Sequence, residues 1–168
     1  MSFAQDVKAL YGGEAVVGRY AGQHVGTAAE IIAVATFGIF NVTGGDVLLT
    51  GFYGKVTTVI GAGASTLIVV YTPTGGAQNA MSATSASIAA DPVNTIYMWD
   101  GLLAGVLMPL GAAAVGVGNG YLGCWTAKPL LVGPGQMGIA NAVNALSGAI
   151  DWYAWYVPMW PGARMVAV

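Results

Sequence analysis

Glycine recurs along this chain so evenly that it decides which secondary structures are open to it. There are 26 glycines and seven prolines among 168 residues. Inside a helix each glycine costs about 1 kcal/mol and each proline about 3 kcal/mol. The residues between these breakers are β-branched and aromatic, types that suit a pleated, half-buried surface. Short strands joined by turns are therefore expected, and the chain length suits one domain.

Charge is as scarce as glycine is common. Only 7% of the residues are charged, against roughly 25% in an ordinary soluble protein. They are Lys8, Arg19, Lys55, Lys128 and Arg164 against Asp6, Glu14, Glu30, Asp46, Asp91, Asp100 and Asp151. The hydrophobic share of 56% excludes disorder. Five scattered basic residues and a net charge of −2 give no electrostatic footprint for nucleic acid. A surface with so little charge must show neutral and apolar areas, and such areas usually mark contacts.

Cys124 is the sole cysteine, which leaves no intrachain disulfide and no thiolate cluster. It reads as a small buried apolar residue. The opening residues Met1 to Lys8 have no basic region followed by an apolar core, so no secretory signal is expected and assembly in a cytoplasm is. The membrane alternative rests on the uncharged stretch between Asp100 and Lys128, which contains Gly101-xxx-Gly105. Pro109 and the glycines at 105, 111, 116, 118, 120 and 123 break that stretch into strand-length pieces. No basic cluster flanks it to set an orientation.

Along the chain, residues 1–29 read as an extended arm or irregular lead-in, with glycines every few positions. Residues 30–43 read as a strand, and Gly44-Gly45-Asp46 as a turn. Val47 to Ile60 has strand composition with a bulge or bend expected at its glycines. With Ser65 to Thr72 it is expected to form a β-hairpin through Gly61-Ala62-Gly63-Ala64. Weak alternation in this region is expected where both faces are covered. Residues 77–91, small and polar, read as a loop with one short helical turn. Further strands are expected at 95–100, within 101–120, at 122–126 and at 130–132, with a helix alternative over 139–147. The last strand, from Asp151 to Pro158, puts Trp152 and Tyr156 on one face and Tyr153 and Trp155 on the other. Short strands about every 8–14 residues, divided by Gly/Pro turns, describe an all-β sandwich or barrel.

Catalytic chemistry is thinly represented. His24 is the sole histidine and lies in the least patterned part of the chain; it reads as a hydrogen-bonding surface or interface residue. No G-x-S-x-G surrounds a serine. Asp91 and Asp100 flank one candidate strand and so stand about 25–30 Å apart, too far for a dyad. No D-x-D-x-D-G loop points to calcium. Gly133-Pro134-Gly135-Gln136-Met137-Gly138 matches G-x-G-x-x-G. However, only about thirty residues follow it, too few for the rest of a nucleotide-binding unit. Pro134 also removes an N–H from the loop that would hold phosphate. No enzyme, cofactor or metal site is expected.

The aromatics form the main cluster: Trp152, Tyr153, Trp155, Tyr156 and Trp160, with Tyr97 and Trp99. Exposed rings offer stacking platforms for sugar or peptide. Aromatics amid few charges are equally what core filling and subunit contacts use. Trp99, Trp152, Tyr153, Trp155, Tyr156 and Trp160 are the candidate interface residues.

The run Phe40-Asn41-Val42-Thr43-Gly44-Gly45-Asp46-Val47-Leu48-Leu49-Thr50-Gly51-Phe52-Tyr53-Gly54-Lys55-Val56-Thr57-Thr58, followed by Thr66-Leu67 and Thr72-Pro73-Thr74-Gly75-Gly76, resembles small β-rich virion proteins of tailed bacteriophages. The ending, Trp152 to Tyr156 with Pro158-Met159 and Gly162-Ala163, is similar to how such chains close. Among them the nearest role is a capsid decoration, or cement, protein. The resemblance implies a β-sandwich or jelly-roll-like domain, commonly trimeric. Such a domain sits on the outside of the capsid and braces neighbouring copies of the major capsid protein; it brings no catalytic residues. Residues 1–29 would then be an arm and 30–168 the β domain. The alternatives are another virion part, such as a head fibre base or tail protein with glycan binding through the aromatics, and a small integral membrane protein.

Overall fold

The computed structural model describes residues 20–25, 36–99, 101, 105, 108–110, 125–141 and 147–168. Among these residues there is no helix. The chain runs β1 (Tyr20–Val25), β2 (Thr36–Thr43), β3 (Val47–Thr58), β4 (Leu67–Pro73), β5 (Asn79–Ala80), β6 (Ile96–Met98), β7 (Met108–Leu110), β8 (Trp125–Val132), β9 (Gly135–Asn141), β10 (Ala149–Pro158) and β11 (Arg164–Ala167).

These strands make two antiparallel sheets. Sheet A has the order β1-β10-β3-β6-β7, with β8 also on β3; sheet B has the order β11-β2-β9-β4-β5. Four pairings nest inside one another along the chain: β1 with β10, β2 with β9, β3 with β8, and β4 with β5. The first and third lie in sheet A and the second and fourth in sheet B. A long hairpin wrapped so that its nested pairs alternate between two sheets is an eight-stranded jelly roll. The expected all-β sandwich is thus observed, with jelly-roll strand order. The β6–β7 pair extends sheet A alongside β3, and β11 adds to sheet B on β2.

The hairpin expected between Val47–Ile60 and Ser65–Thr72 does not form. β3 belongs to sheet A and β4 to sheet B, where β4 pairs with β9 and β5. The glycine-rich link therefore carries the chain from one sheet to the other. Both strands are apolar enough to pair with several others, and the burial of whole faces selects the partners. The helix alternative over 139–147 is corrected in the same way: residues 139–141 finish β9, and 142–146 lie outside the described residues. Residues 77–91 contain β5 and turns, with no helical turn. β11, beyond Pro158 and Pro161, was not anticipated. Cys124 and Asp100 lie outside the described residues, as do residues 1–19 and 26–29 of the expected arm. Residues 20–25 of that segment pair along β10 as β1.

Alternation on β3 is strict but changes phase. Val47, Leu49, Phe52, Gly54 and Val56 are buried, while Leu48, Thr50, Tyr53 and Lys55 are not. Leu49 lies opposite Tyr156 and Gly51 opposite Trp155, so Thr50 is an extra residue on β3. This bulge, beside a glycine as expected, flips the inward face by one position. It explains why the pattern looked weak in the sequence.

The core lies between the sheets. Phe52 stacks on Trp152 with ring centroids 5.3 Å apart and planes at 18°, and meets Trp99 edge-on at 6.3 Å. Gly54 makes room for this cluster: a Cβ there would stand 2.7 Å from Trp152 Cζ3 and 2.8 Å from Ile150 Cγ2. Buried tyrosines keep their hydroxyls satisfied, as burial in a low-dielectric interior demands. Tyr156 donates to Met165 O at 3.2 Å, tying β10 to β11 across the two sheets, and Tyr97 donates to Asp91 Oδ2 at 2.5 Å. Burial, the Asp91 hydrogen bond and the Asp91 charge together push the Tyr97 phenol far above its ordinary pKa.

Candidate interaction face on sheet A

β10 sorts its aromatics by parity. Trp152, Ala154 and Tyr156 point between the sheets, and Tyr153 and Trp155 point outward. The two expected faces of this strand are therefore observed, and they divide the candidate interface residues. Trp99, Trp152 and Tyr156 are at most 4% exposed and fill the core. Tyr153 and Trp155 stand half-buried on the outer side of sheet A, while Trp160 is 60% exposed on the turn after β10.

The outward aromatics gather around a residue that sequence reasoning did not single out. Tyr53 on β3 lies directly opposite Tyr153, with ring centroids 4.7 Å apart and planes at 14°. It also stacks on Trp155 at 5.0 Å and 23°. Trp155 itself stands opposite Gly51, which has no side chain to oppose the indole, and this favours its leaning along the sheet onto Tyr53. The sequence signal for Tyr53 was concealed by the Thr50 bulge, because strict parity counted from Val47 would have turned Tyr53 inward.

The stripe continues at both ends. Met98 pairs with Tyr53 from β6. Beyond the bulge, Leu48 pairs with Val157 on one side and with Leu131 on the other, and Leu131 is 58% exposed. Lys55 and Asp151 lie opposite each other at the margin, an arrangement that stabilises neighbouring strands. Burial, with the Asp151 charge second, raises the Tyr153 pKa above its ordinary value. Among the described residues of this face, Lys55 and Asp151 place charge at one end.

Tyr53 is the shared member of the stack, with the Tyr153 and Trp155 rings lying near-parallel to it at 14° and 23°. Trp160 is arranged differently: its indole Nε1 donates to Asp46 Oδ2 at 3.3 Å, and the ring stands over the Gly44-Gly45-Asp46 turn.

Two further sequence candidates have places in the fold. His24 is placed in β1 opposite Trp152. In the G-x-G-x-x-G run, Gly133 and Pro134 form the corner between β8 and β9, and the other four residues begin β9. Both carbonyls of the corner accept hydrogen bonds. Tyr71 Oη donates to Gly133 O at 2.8 Å and Pro134 O at 3.1 Å, and Thr74 N donates to Pro134 O at 3.0 Å. Gly138 is there for packing, since a Cβ would stand 2.3 Å from Phe37 O on β2. Burial, then the Asp46 charge, raises the Tyr71 pKa. No group of three or more His, Cys, Asp or Glu able to hold a metal occurs among the described residues. A crevice lined by Phe37, Ile39, Leu67, Ile139, Asn141, Ile150 and Trp152 has room for about one water. Among the described residues no helix is long and apolar enough to cross a membrane.

No family model matches the sequence, and no curated protein matches it. Among solved structures, the chain is similar to a structure of infectious bursal disease virus, Gx strain, at 9% identity and a TM-score of 0.32, over 87% of this chain and 34% of that one. It is also similar to a structure of the Gt strain of the same virus, at 10% identity and a TM-score of 0.20, over 91% of this chain and 38% of that one. The chain spans about a third of the length of those chains.

Proposed function

We propose that this chain is a non-enzymatic structural protein of a virion. In this reading it decorates the outer surface of a bacteriophage capsid and stabilises it by binding the major capsid protein and further copies of itself. The observation that carries the reading is the outward face of sheet A. Tyr53, Tyr153 and Trp155 form an outward-facing stack there, in a chain with only five basic and seven acidic residues. Such a surface is costly to leave in water and suits permanent contact. Jelly rolls build viral shells and lectin domains alike, so the fold agrees with the role without assigning it. On a lattice, many modest contacts add to a strong clamp. A trimer, which the resemblance implies, would use contacts between unlike faces that close into a ring.

The segment before residue 30 is assigned to contact with a neighbour. Because residues 20–25 pair along β10, a truncation that tests this arm without stripping sheet A must stop at residue 19. The deciding experiment mixes the purified chain with capsid shells assembled without it, then follows co-sedimentation and shell melting. Binding that raises the shell melting temperature, and that Trp155→Ala weakens, supports the reading. Shells that neither bind the chain nor gain stability overturn it.

A further inference from the structure

Sheet B would end in an open edge on β4 were it not for the segment that follows β5. β5 covers β4 at Val70 and Tyr71. Residues 81–88 then run along the rest of the edge without forming a strand. Met81 N and Ser82 N both donate to Val69 O, Ser85 N donates to Leu67 O, and Ile88 N donates to Ser65 O. The return bonds come from β4, and side chains accept them. Val69 N donates to Ser82 Oγ at 2.9 Å and Leu67 N to Ser85 Oγ at 2.8 Å, both buried. Each hydroxyl in turn donates a hydrogen bond to the next residue's carbonyl, Ser82 to Ala83 O and Ser85 to Ala86 O.

The Ser82-Ala83-Thr84-Ser85 spacing thus meets alternate N–H groups of β4 with hydroxyls where an added strand would bring carbonyls. A true strand would carry a fresh row of N–H and C=O groups on its far side and move the edge outward by one strand. A segment that meets the β4 N–H groups with hydroxyls, and turns its own N–H groups at Met81, Ser82, Ser85 and Ile88 back toward β4 and Ser65, presents no such regular row. Met81 and Ile88 anchor its two ends in the core, and Ala83 N donates outward to Gly105 O at 3.1 Å.

We infer that Ser82 and Ser85 are a lock that closes the β4 edge of sheet B to strand addition by a further copy of this chain. Exposed edges are templates for such addition, and natural sheets blunt them by covering or charging them. The inference is independent of what the outward face of sheet A meets.

The test is a Ser82→Ala/Ser85→Ala variant of the full chain, read by amide hydrogen exchange and by mass from light scattering over a range of concentrations. Exchange at Leu67 and Val69 is expected to speed by about tenfold or more, since each N–H loses its acceptor. The mass should rise with concentration above that of the unaltered protein. Adding Thr84→Lys, at an exposed position, should return the mass to normal without slowing exchange, as a lysine on an open edge does. The inference is overturned by unchanged exchange, by faster exchange with no change of mass, or by a mass increase that Thr84→Lys leaves in place. Should the double variant not fold, Ser82→Ala alone, which keeps the Ser85 bond, is read by the same measures.

Discussion

Tyr53 and Tyr153 stand directly opposite each other on β3 and β10, with ring centroids 4.7 Å apart and planes only 14° from parallel. The pair sits on the outward face of sheet A, and its stacking joins the two strands that make the most extended pairing among the described residues. Aromatic pairs of this kind contribute about 0.5–1.5 kcal/mol beyond the area they cover. A double-mutant cycle with Tyr53→Ala and Tyr153→Ala is expected to show a coupling energy of about 1 kcal/mol in urea unfolding. Additive losses would mean that the stack contributes nothing of its own.

Contact and core roles separate cleanly between two tryptophans. Trp160→Ala should change stability by no more than about 0.5 kcal/mol, because the ring is exposed and its bond to Asp46 is at the surface. Trp152→Ala should cost about 3–5 kcal/mol through the cavity it leaves against Phe52. If Trp160 is part of the capsid contact, its removal weakens co-sedimentation while the urea midpoint stays where it was. A large loss of stability in Trp160→Ala would show that the turn it covers depends on it.

Gly54→Ala tests the packing around Trp152 from the other side. The added Cβ would meet Trp152 and Ile150 at under 3 Å, so the indole must shift off its stack on Phe52. A destabilisation of about 1–3 kcal/mol is expected, with a changed near-UV circular dichroism band from the displaced indole. An alanine accepted at no cost would contradict the close approach.

Alkaline pH should unfold the protein through Tyr97. Its phenol has a folded-state pKa raised above the ordinary 10.0 by burial and by Asp91. The folded state therefore holds its proton more tightly than the unfolded state does. The stabilisation is fully present below pH 10 and declines as the pH rises above it. Urea midpoints measured from pH 8 to 11 should fall at the upper end, and Tyr97→Phe should flatten that fall while lowering the midpoint at pH 8. An equal slope in the variant would assign the pH dependence elsewhere, with Tyr71 and Tyr153 the next groups to examine.

Much of this architecture was legible because it is local. Glycine and proline exclude long helices wherever they occur, β-branched and aromatic runs prefer extended backbone, and a period of two sorts Trp152 and Tyr156 from Tyr153 and Trp155 whatever the strand pairs with. The all-β class, most strand positions and the facing of the last aromatic strand follow from those short-range rules. Partnership does not. β3 and β4 read as neighbours because one glycine turn separates them, yet they lie in different sheets, because β4 buries its apolar face by joining β9 and β5. The glycine beside Thr50 marks a bulge, but its exact position, which turns Tyr53 outward, and the pairing of the Ser82 and Ser85 hydroxyls with β4 are not visible in a linear pattern. Each takes its meaning from backbone groups that the chain brings alongside only after folding, when whole faces are buried together and every buried N–H must find an acceptor.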